Sequence, residues 1–155
     1  MAKELKIGDK APALTLPDQS GERVSLKDFT GKQVVLYFYP KDDTPGCTKE
    51  SCDFRDTMAS IRKAGAVILG VSLDDTESHQ KFIKKFDLPF PLLSDEEATV
   101  SKAYGCYKEK NMYGRKYWGI ERSTFVIDQA GKLKAIFRKV KVGSHVDDVL
   151  VALKA

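Results

Sequence analysis

Two stretches of the chain are apolar without alternation, Gln33 to Tyr39 (QVVLYFY) and Ala66 to Leu73 (AVILGVSL). Such runs predict strands covered on both faces. Between them, Pro45 to Lys63 places Cys47, Ser51, Phe54, Met58 and Ile61 along one face at helical spacing. Strand, helix and strand together predict a βαβ unit with parallel pairing. A second helix is expected with Thr76 as N-cap and His79, Phe82, Ile83 and Phe86 on its apolar stripe. Ser94-Asp95-Glu96-Glu97 reads as a capping box that opens a third helix, reaching about Tyr104. Ser123 to Asp128 and Leu133 to Arg138 read as an antiparallel hairpin around the Asp128–Gly131 turn. Ser144-x-x-Asp147 caps a last helix whose core face is Val146, Val149, Leu150 and Leu153. The first thirty residues suggest a small hairpin and a short helical turn at Leu26–Phe29. The aromatic, basic segment from Gly105 to Gly119 carries no such periodicity and is expected to be a loop.

A parallel half followed by an antiparallel hairpin and a closing helix predicts the α/β class: a thioredoxin-like sandwich, with a central mixed sheet flanked by helices. The 155 residues form one expected domain, 1–155, since no repeat, linker or low-complexity segment divides them. Apolar residues at 42% and charged residues at 31% exclude a disordered or collagen-like chain. No apolar run approaches the ~20 residues that span a bilayer, and Met1-Ala2-Lys3-Glu4-Leu5-Lys6 has no apolar leader core. A cytoplasmic protein with no membrane partner is the expectation.

The net charge is +4, but Lys102 to Lys141 holds eleven Lys/Arg against Glu109, Glu121 and Asp128, which is +8. With Tyr104, Tyr107, Tyr113, Tyr117 and Trp118 close by, that segment could suit a nucleic acid. No recognised binding motif accompanies it, so a solubilising, edge-guarding role is favoured and no nucleic-acid partner is expected. Three cysteines, Cys47, Cys52 and Cys106, are too few and odd in number for a disulfide-stapled scaffold.

One of them sits where chemistry is favoured. The buried strand ends at Tyr39, and Thr44 stands directly before Pro45 in Tyr39-Pro40-Lys41-Asp42-Asp43-Thr44-Pro45-Gly46-Cys47. Threonine is a good N-cap and proline a preferred first helical residue, so Cys47 falls at about the third position of the helix. Unpaired N–H groups and the positive end of the helix dipole favour a thiolate there. A sulfur turned toward the sheet is also desolvated, which demands a nearby cation. Arg122, at the mouth of the Ser123–Asp128 strand, is the candidate.

Cys52 follows five residues later. In an intact helix that spacing gives ~500° of rotation, ~7.5 Å of rise and a Cα separation of roughly 8.6 Å, beyond the ~7 Å limit for a disulfide. If the two thiols do bridge, the first turns must unwind. The spacing also differs from the C-x-x-C of a dithiol oxidoreductase or isomerase, a rival that insulin reduction without peroxide would reveal. A second rival is a non-enzymatic binder using the basic aromatic segment, betrayed by salt-dependent retention on nucleic acid.

Pro40-x-x-x-Thr44-x-x-Cys47-x-x-Glu50 resembles the P-x-x-x-T-x-x-C-x-x-E active-site motif of the peroxiredoxins. The wider string Tyr39 to Cys52 (YPKDDTPGCTKESC) is similar to their Q-type branch, the bacterioferritin comigratory proteins, and Gly119 to Phe125 is similar to the segment bearing that family's active-site arginine. The resemblance extends from Gly8-Asp9-Lys10-Ala11-Pro12 to the last helix. It implies a cofactor-free thiol peroxidase acting on hydrogen peroxide and organic hydroperoxides. Cys47 would be the peroxidatic thiolate, oxidised to a sulfenic acid. Thr44 would hydrogen-bond the sulfur or the peroxide, and Arg122 would stabilise the thiolate and the transition state. Pro40 would shield the pocket and Glu50 would orient the arginine. Cys52 would resolve the sulfenic acid as a disulfide, reduced by thioredoxin or a similar dithiol. Some members of this branch carry the resolving cysteine in the next helix or lack it; that helix, around Phe82 and Ile83, has none here. The resemblance leans to a monomer.

Cys106 lies outside the family pattern and reads as a thiol without a role, or else as an alternative resolver or intermolecular partner. His79, on an apolar stripe, is expected to be packed or hydrogen-bonded, and His145, just past an N-cap, to be solvated. Without C-x-x-C or H-x-x-x-H, no metal site is expected.

Overall fold

The computed structural model describes residues 4–155; Met1–Lys3, the first half of the opening segment without an apolar leader core, lie outside the described residues. β1 (Thr15–Pro17) and β2 (Arg23–Ser25) form the small hairpin, followed by a 3-10 turn at Leu26–Phe29. β3 (Gln33–Phe38) enters the middle of the main sheet. From it the chain runs through α1 (Pro45–Lys63) to β4 (Ala66–Ser72), which pairs with β3 in parallel. After α2 (Thr76–Phe86) comes β5 (Leu92–Ser94), parallel to β4, and then a short α3 (Thr99–Ala103). β6 (Tyr107–Met112) and β7 (Arg115–Ile120) pair with each other. β8 (Ser123–Ile127) and β9 (Leu133–Phe137) complete the main sheet before α4 (His145–Lys154) closes the chain. The order across the sheet is β5-β4-β3-β8-β9, with β8 antiparallel to both neighbours.

Every residue of β3 is buried because the strand separates two cores. Val35 and Tyr37 face α1, α2 and α4 with Phe54, Ile61, Phe82 and Val149, whereas Val34, Leu36 and Phe38 face Leu14, Tyr104, Phe125 and Ile127. The unalternating pattern is thus two alternating faces, both apolar. Tyr37 lies directly across from Gly70 of β4, and a Cβ on Gly70 would stand 2.9 Å from the Tyr37 ring and 2.7 Å from Leu92. Gly70→Ala should therefore cost about 1–3 kcal/mol through overpacking, read as a fall in the chemical-denaturation midpoint.

Several boundaries differ from the sequence reading. α2 is capped by Asp75, not Thr76; the Asp75 carboxylate accepts the Ser78 N–H at 2.8 Å. The predicted third helix begins later. Ser94 ends β5, Ala98 turns through φ 60°, and α3 starts at Thr99. Asp95 still ties down that start, accepting from the N–H groups of Val100 and Ser101 and from the Ser101 hydroxyl. Ser144 occupies the N-cap of α4 but its side chain makes no capping bond. β5, three residues between Pro91 and Asp95, is too short to show a pattern.

The largest correction is at Gly105–Gly119, which is no loop: β6 and β7 form a regular hairpin over it. Tyr113 and Gly114, at φ 54° and 79°, make the turn, the pair of positive φ values that a two-residue hairpin needs. Residues 111–118 are all exposed, so the strands carry no apolar face for a pattern to reveal.

Candidate active site

Thr44 has extended dihedrals and Pro45 opens α1, which puts Cys47 at the third helical position. The helix seats its buried face, Cys47, Glu50, Ser51, Phe54, Met58 and Ile61, against the sheet. Ser51 is fixed there by the Tyr37 hydroxyl at 2.9 Å. Cys47 is only 1% exposed, so its sulfur meets protein atoms and not bulk water.

The required cation is in place. β8 starts one residue after Arg122, and this delivers the guanidinium to the head of α1, where Nη2 donates to Cys47 Sγ at 3.2 Å. Nη1 donates to Glu50 Oε1 at 2.6 Å. Burial disfavours the charged guanidinium, but the Glu50 carboxylate and the Cys47 sulfur outweigh it and strengthen its hold on the proton. Arg122 thus joins two groups one helical turn apart on α1, and the fork fixes its direction.

That approach depends on a residue the sequence reading passed over. A Cβ on Gly46 would lie 3.1 Å from Arg122 Nη2. Its φ is ordinary, so the glycine serves the close approach of the guanidinium. Gly46→Ala should push Arg122 off the sulfur and slow peroxide reduction about tenfold, one charge-assisted hydrogen bond's worth, with α-helical circular dichroism unchanged.

Glu50 is fully buried, and burial pushes its carboxyl up to about 7 although Arg122 pulls the other way. Its second oxygen, Oε2, has no hydrogen-bond partner among the described residues. The nearest base is His145 Nε2 at 3.9 Å, itself bonded to Thr124 Oγ1 at 2.8 Å. Burial, assisted by the Arg122 charge and opposed by Asp148, lowers His145 to about 4. The imidazole is neutral at pH 7, so the 3.9 Å approach is no ion pair. His145 is therefore not solvated as expected: α4 turns it inward, at 4% exposure, against Phe54 and Phe137.

Thr44 reaches the site's rim, and its hydroxyl donates to the Lys41 carbonyl at 2.8 Å. Pro40 is half-buried at the end of the buried strand. Cys52 is half-buried on α1; burial raises its thiol, partly offset by Arg55. All three cysteines are free, and α1 is continuous through both Cys47 and Cys52. Cys106 belongs to the core on the opposite side of the sheet from Cys47. There burial pushes its thiol up to about 12 and the S–H donates to the Ser101 carbonyl at 3.4 Å.

Lys110 is a second cation that the sequence reading did not single out. On β6 its stem would lie 3.7 Å from a Cβ on Gly119. Partial burial and the nearby Arg122 charge lower its ammonium, opposed by Cys47 and Glu121.

A thiol at a helix head, held by an arginine that a buried glutamate aligns, is nucleophile machinery. The AhpC/TSA family model matches residues 7–136. The chain belongs to that family. Peroxiredoxin Bcp of Bacillus subtilis is 53% identical over 97% of this chain and 96% of its own, and that of Escherichia coli 47% over the same shares. Among solved structures, the bacterioferritin comigratory protein of Xanthomonas campestris, studied for alkyl peroxide reduction, is 47% identical. It superposes with a TM-score of 0.86 over 91% of this chain and 90% of its own. A PrxQ variant of Xylella fastidiosa superposes at 0.92 with 38% identity, covering 99% and 98%.

This peroxiredoxin is of the Q-type, or Bcp, branch: a thiol peroxidase with a thioredoxin-like fold, using peroxides and a thiol reductant. Among the described residues no helix is long and apolar enough to cross a membrane.

Proposed function

We propose that Cys47 is the peroxidatic sulfur of this thiol peroxidase and Cys52 its resolving partner. The observation that carries the reading is the 3.2 Å bond from Arg122 Nη2 to Cys47 Sγ, at the head of a helix. The thiolate attacks the terminal oxygen of a hydroperoxide in line: the S–O bond forms, the O–O bond breaks, and water or an alcohol leaves once protonated. Arg122 stabilises the thiolate first and then the charge that moves onto the oxygens. With its proton given to the Lys41 carbonyl, the Thr44 hydroxyl keeps lone pairs free to accept the peroxide O–H. Pro40 keeps water from the reacting atoms, and Glu50 aims the guanidinium.

The Cys47 sulfenic acid then meets the Cys52 thiol. The S–S bond forms and water leaves. Because both residues stand on one unbroken helix, its first turns unwind for this step. Thioredoxin, or a similar dithiol, reduces the disulfide and is oxidised in turn. The likeness to the Xanthomonas protein favours organic hydroperoxides beside hydrogen peroxide. We further propose that the chain works as one domain, 1–155, monomeric and cytoplasmic, without nucleic acid.

One equivalent of peroxide should lower the intact mass by about two units, with the loss mapped to a peptide pair joining Cys47 and Cys52. A disulfide that includes Cys106 would overturn the assignment.

A further inference from the structure

The turn from Tyr39 to Thr44 carries the catalytic threonine and feeds α1, and it is held by a network that peroxide chemistry does not use. Asp42 Oδ1 accepts from the Tyr39 hydroxyl. Oδ2 accepts from the Ser78 hydroxyl at 2.8 Å and lies 2.7 Å from His79 Nδ1. His79 Nε2 lies 3.0 Å from the Leu93 carbonyl, which can only accept, so Nε2 carries a proton. The Asp42–His79 contact holds one further proton, whichever atom bears it. The Asp42 N–H donates to Asp74 Oδ2 at 2.8 Å, and Ser72 donates to the same oxygen at 2.6 Å. His79 is fully buried and Asp42 nearly so.

Donor atoms of Asp42, Asp74 and His79 lie within 4.8 Å of one another, as in a metal site. Both imidazole nitrogens, both Asp42 oxygens and Asp74 Oδ2 are, however, already engaged in bonds within the protein. The cluster is a clamp. It ties the active-site turn to α2, to β5 and to the end of β4.

Just beyond the clamp the restraint weakens. Asp43 is exposed and left-handed at φ 58°, a strained conformation for a residue with a side chain. Among the described residues its carboxylate meets only Lys85, at 2.8 Å in solvent, a pairing that constrains little. From Thr44 onward the chain is the helix head that must unwind.

We infer that the Asp42–His79 pair sets the N-terminal limit of that unwinding, with Asp43 as the hinge, and that His79 is a positioning residue for the peroxide step. This rests on the Cys47–Cys52 reading above. While the clamp holds, Pro40, Lys41 and Asp42 keep their places as Cys47 swings toward Cys52, and re-forming α1 restores the site from a fixed end. Without it, Lys41 and Thr44 drift and the reduced enzyme loses its receptive geometry.

Two substitutions separate the halves of the imidazole. In His79→Asn the amide nitrogen falls near the Nδ1 position and can still donate to Asp42, whereas in His79→Gln it falls near Nε2 and serves only Leu93. Both remove the ring, so a purely structural role would move them together. Stopped-flow oxidation of reduced Cys47 should stay near the wild-type rate in His79→Asn and fall about tenfold in His79→Gln, as for one lost charge-assisted bond.

Hydrogen exchange on the wild type supplies the boundary. The disulfide form should lose protection from Thr48, the first amide bonded within α1, to Cys52, while the Tyr39 and Asp42 amides, bonded to Val71 and Asp74, keep theirs. Equal oxidation rates in the two variants would overturn the inference; so would exchange that spreads through Tyr39 and Asp42, a wild-type readout that decides even if neither variant folds well enough to assay. A wild type that forms no Cys47–Cys52 disulfide would instead overturn the functional reading, and the boundary with it; the comparison of the two variants still decides the positioning role.

Discussion

Cys47→Ser brings peroxide turnover to the uncatalysed background, whereas Cys52→Ser consumes one equivalent of peroxide and then stalls. Under the proposed mechanism the first outcome follows because neither other thiol is placed to replace the nucleophile. Cys106 lies across the sheet, with burial holding its thiol near 12, and Cys52 lacks a guanidinium bonded to its sulfur. The loss should be at least ~10³-fold in kcat/KM, the scale on which removal of a nucleophile or its charge stabilisation acts. The second outcome isolates resolution from oxidation. Stopped-flow fluorescence with one equivalent of peroxide should show an unchanged first phase in Cys52→Ser, and a dimedone adduct should mark the sulfenic acid left on Cys47. Steady turnover by Cys52→Ser with thioredoxin would show that the reductant attacks the sulfenic acid directly and that helix unwinding is not required.

The sequence carried this site unevenly, and the reason is the range over which each signal acts. Thr44, Pro45 and Cys47 are neighbours in the chain, and their roles in starting a helix are local, so their arrangement was legible. Arg122 was legible as a candidate because charge demanded a cation and a strand began beside it, though only the fold could bring it to 3.2 Å. Gly46 and His145 were not. Gly46 matters through an atom 76 residues away in the chain, and His145 is buried because α4 packs on the same face of the sheet as α1. His79 was read correctly as an engaged imidazole, but its partner in the active-site turn is set by tertiary packing. Hairpin β6–β7 escaped for a different reason: residues 111–118 are exposed whether aromatic or charged, so the burial-driven period that identifies strands elsewhere is missing.

The buried pair behind Arg122 makes a thermodynamic prediction with opposite signs in two variants. Folding raises Glu50 from 4.5 to about 7, so below its folded value the native state binds a proton that the unfolded chain has released. Taken alone, this makes the protein lose stability as pH rises from about 4.5 to 7. Folding lowers His145 from 6.5 to about 4, so between those values the unfolded chain binds the proton and the native state does not. Taken alone, that makes stability fall as pH drops from 6.5 to 4. Each difference corresponds to about 3 kcal/mol. Between pH 4.5 and 6.5 the two cancel: the unfolded chain holds one proton on His145 and the native state holds one on Glu50.

The other charged groups around the pair, Arg122 and Asp53 for Glu50 and Asp148 and Arg122 for His145, adjust these values without reversing either direction. Urea midpoints of the wild type should therefore vary little over that interval on account of this pair. Glu50→Gln unmasks the histidine, so its stability falls toward acid. His145→Gln unmasks the glutamate, so its stability falls toward base, by a similar amount. Parallel pH profiles in the two variants would mean that the carboxyl and the imidazole do not exchange a proton's worth of charge on folding, and that Glu50 stays ionised against Arg122 throughout.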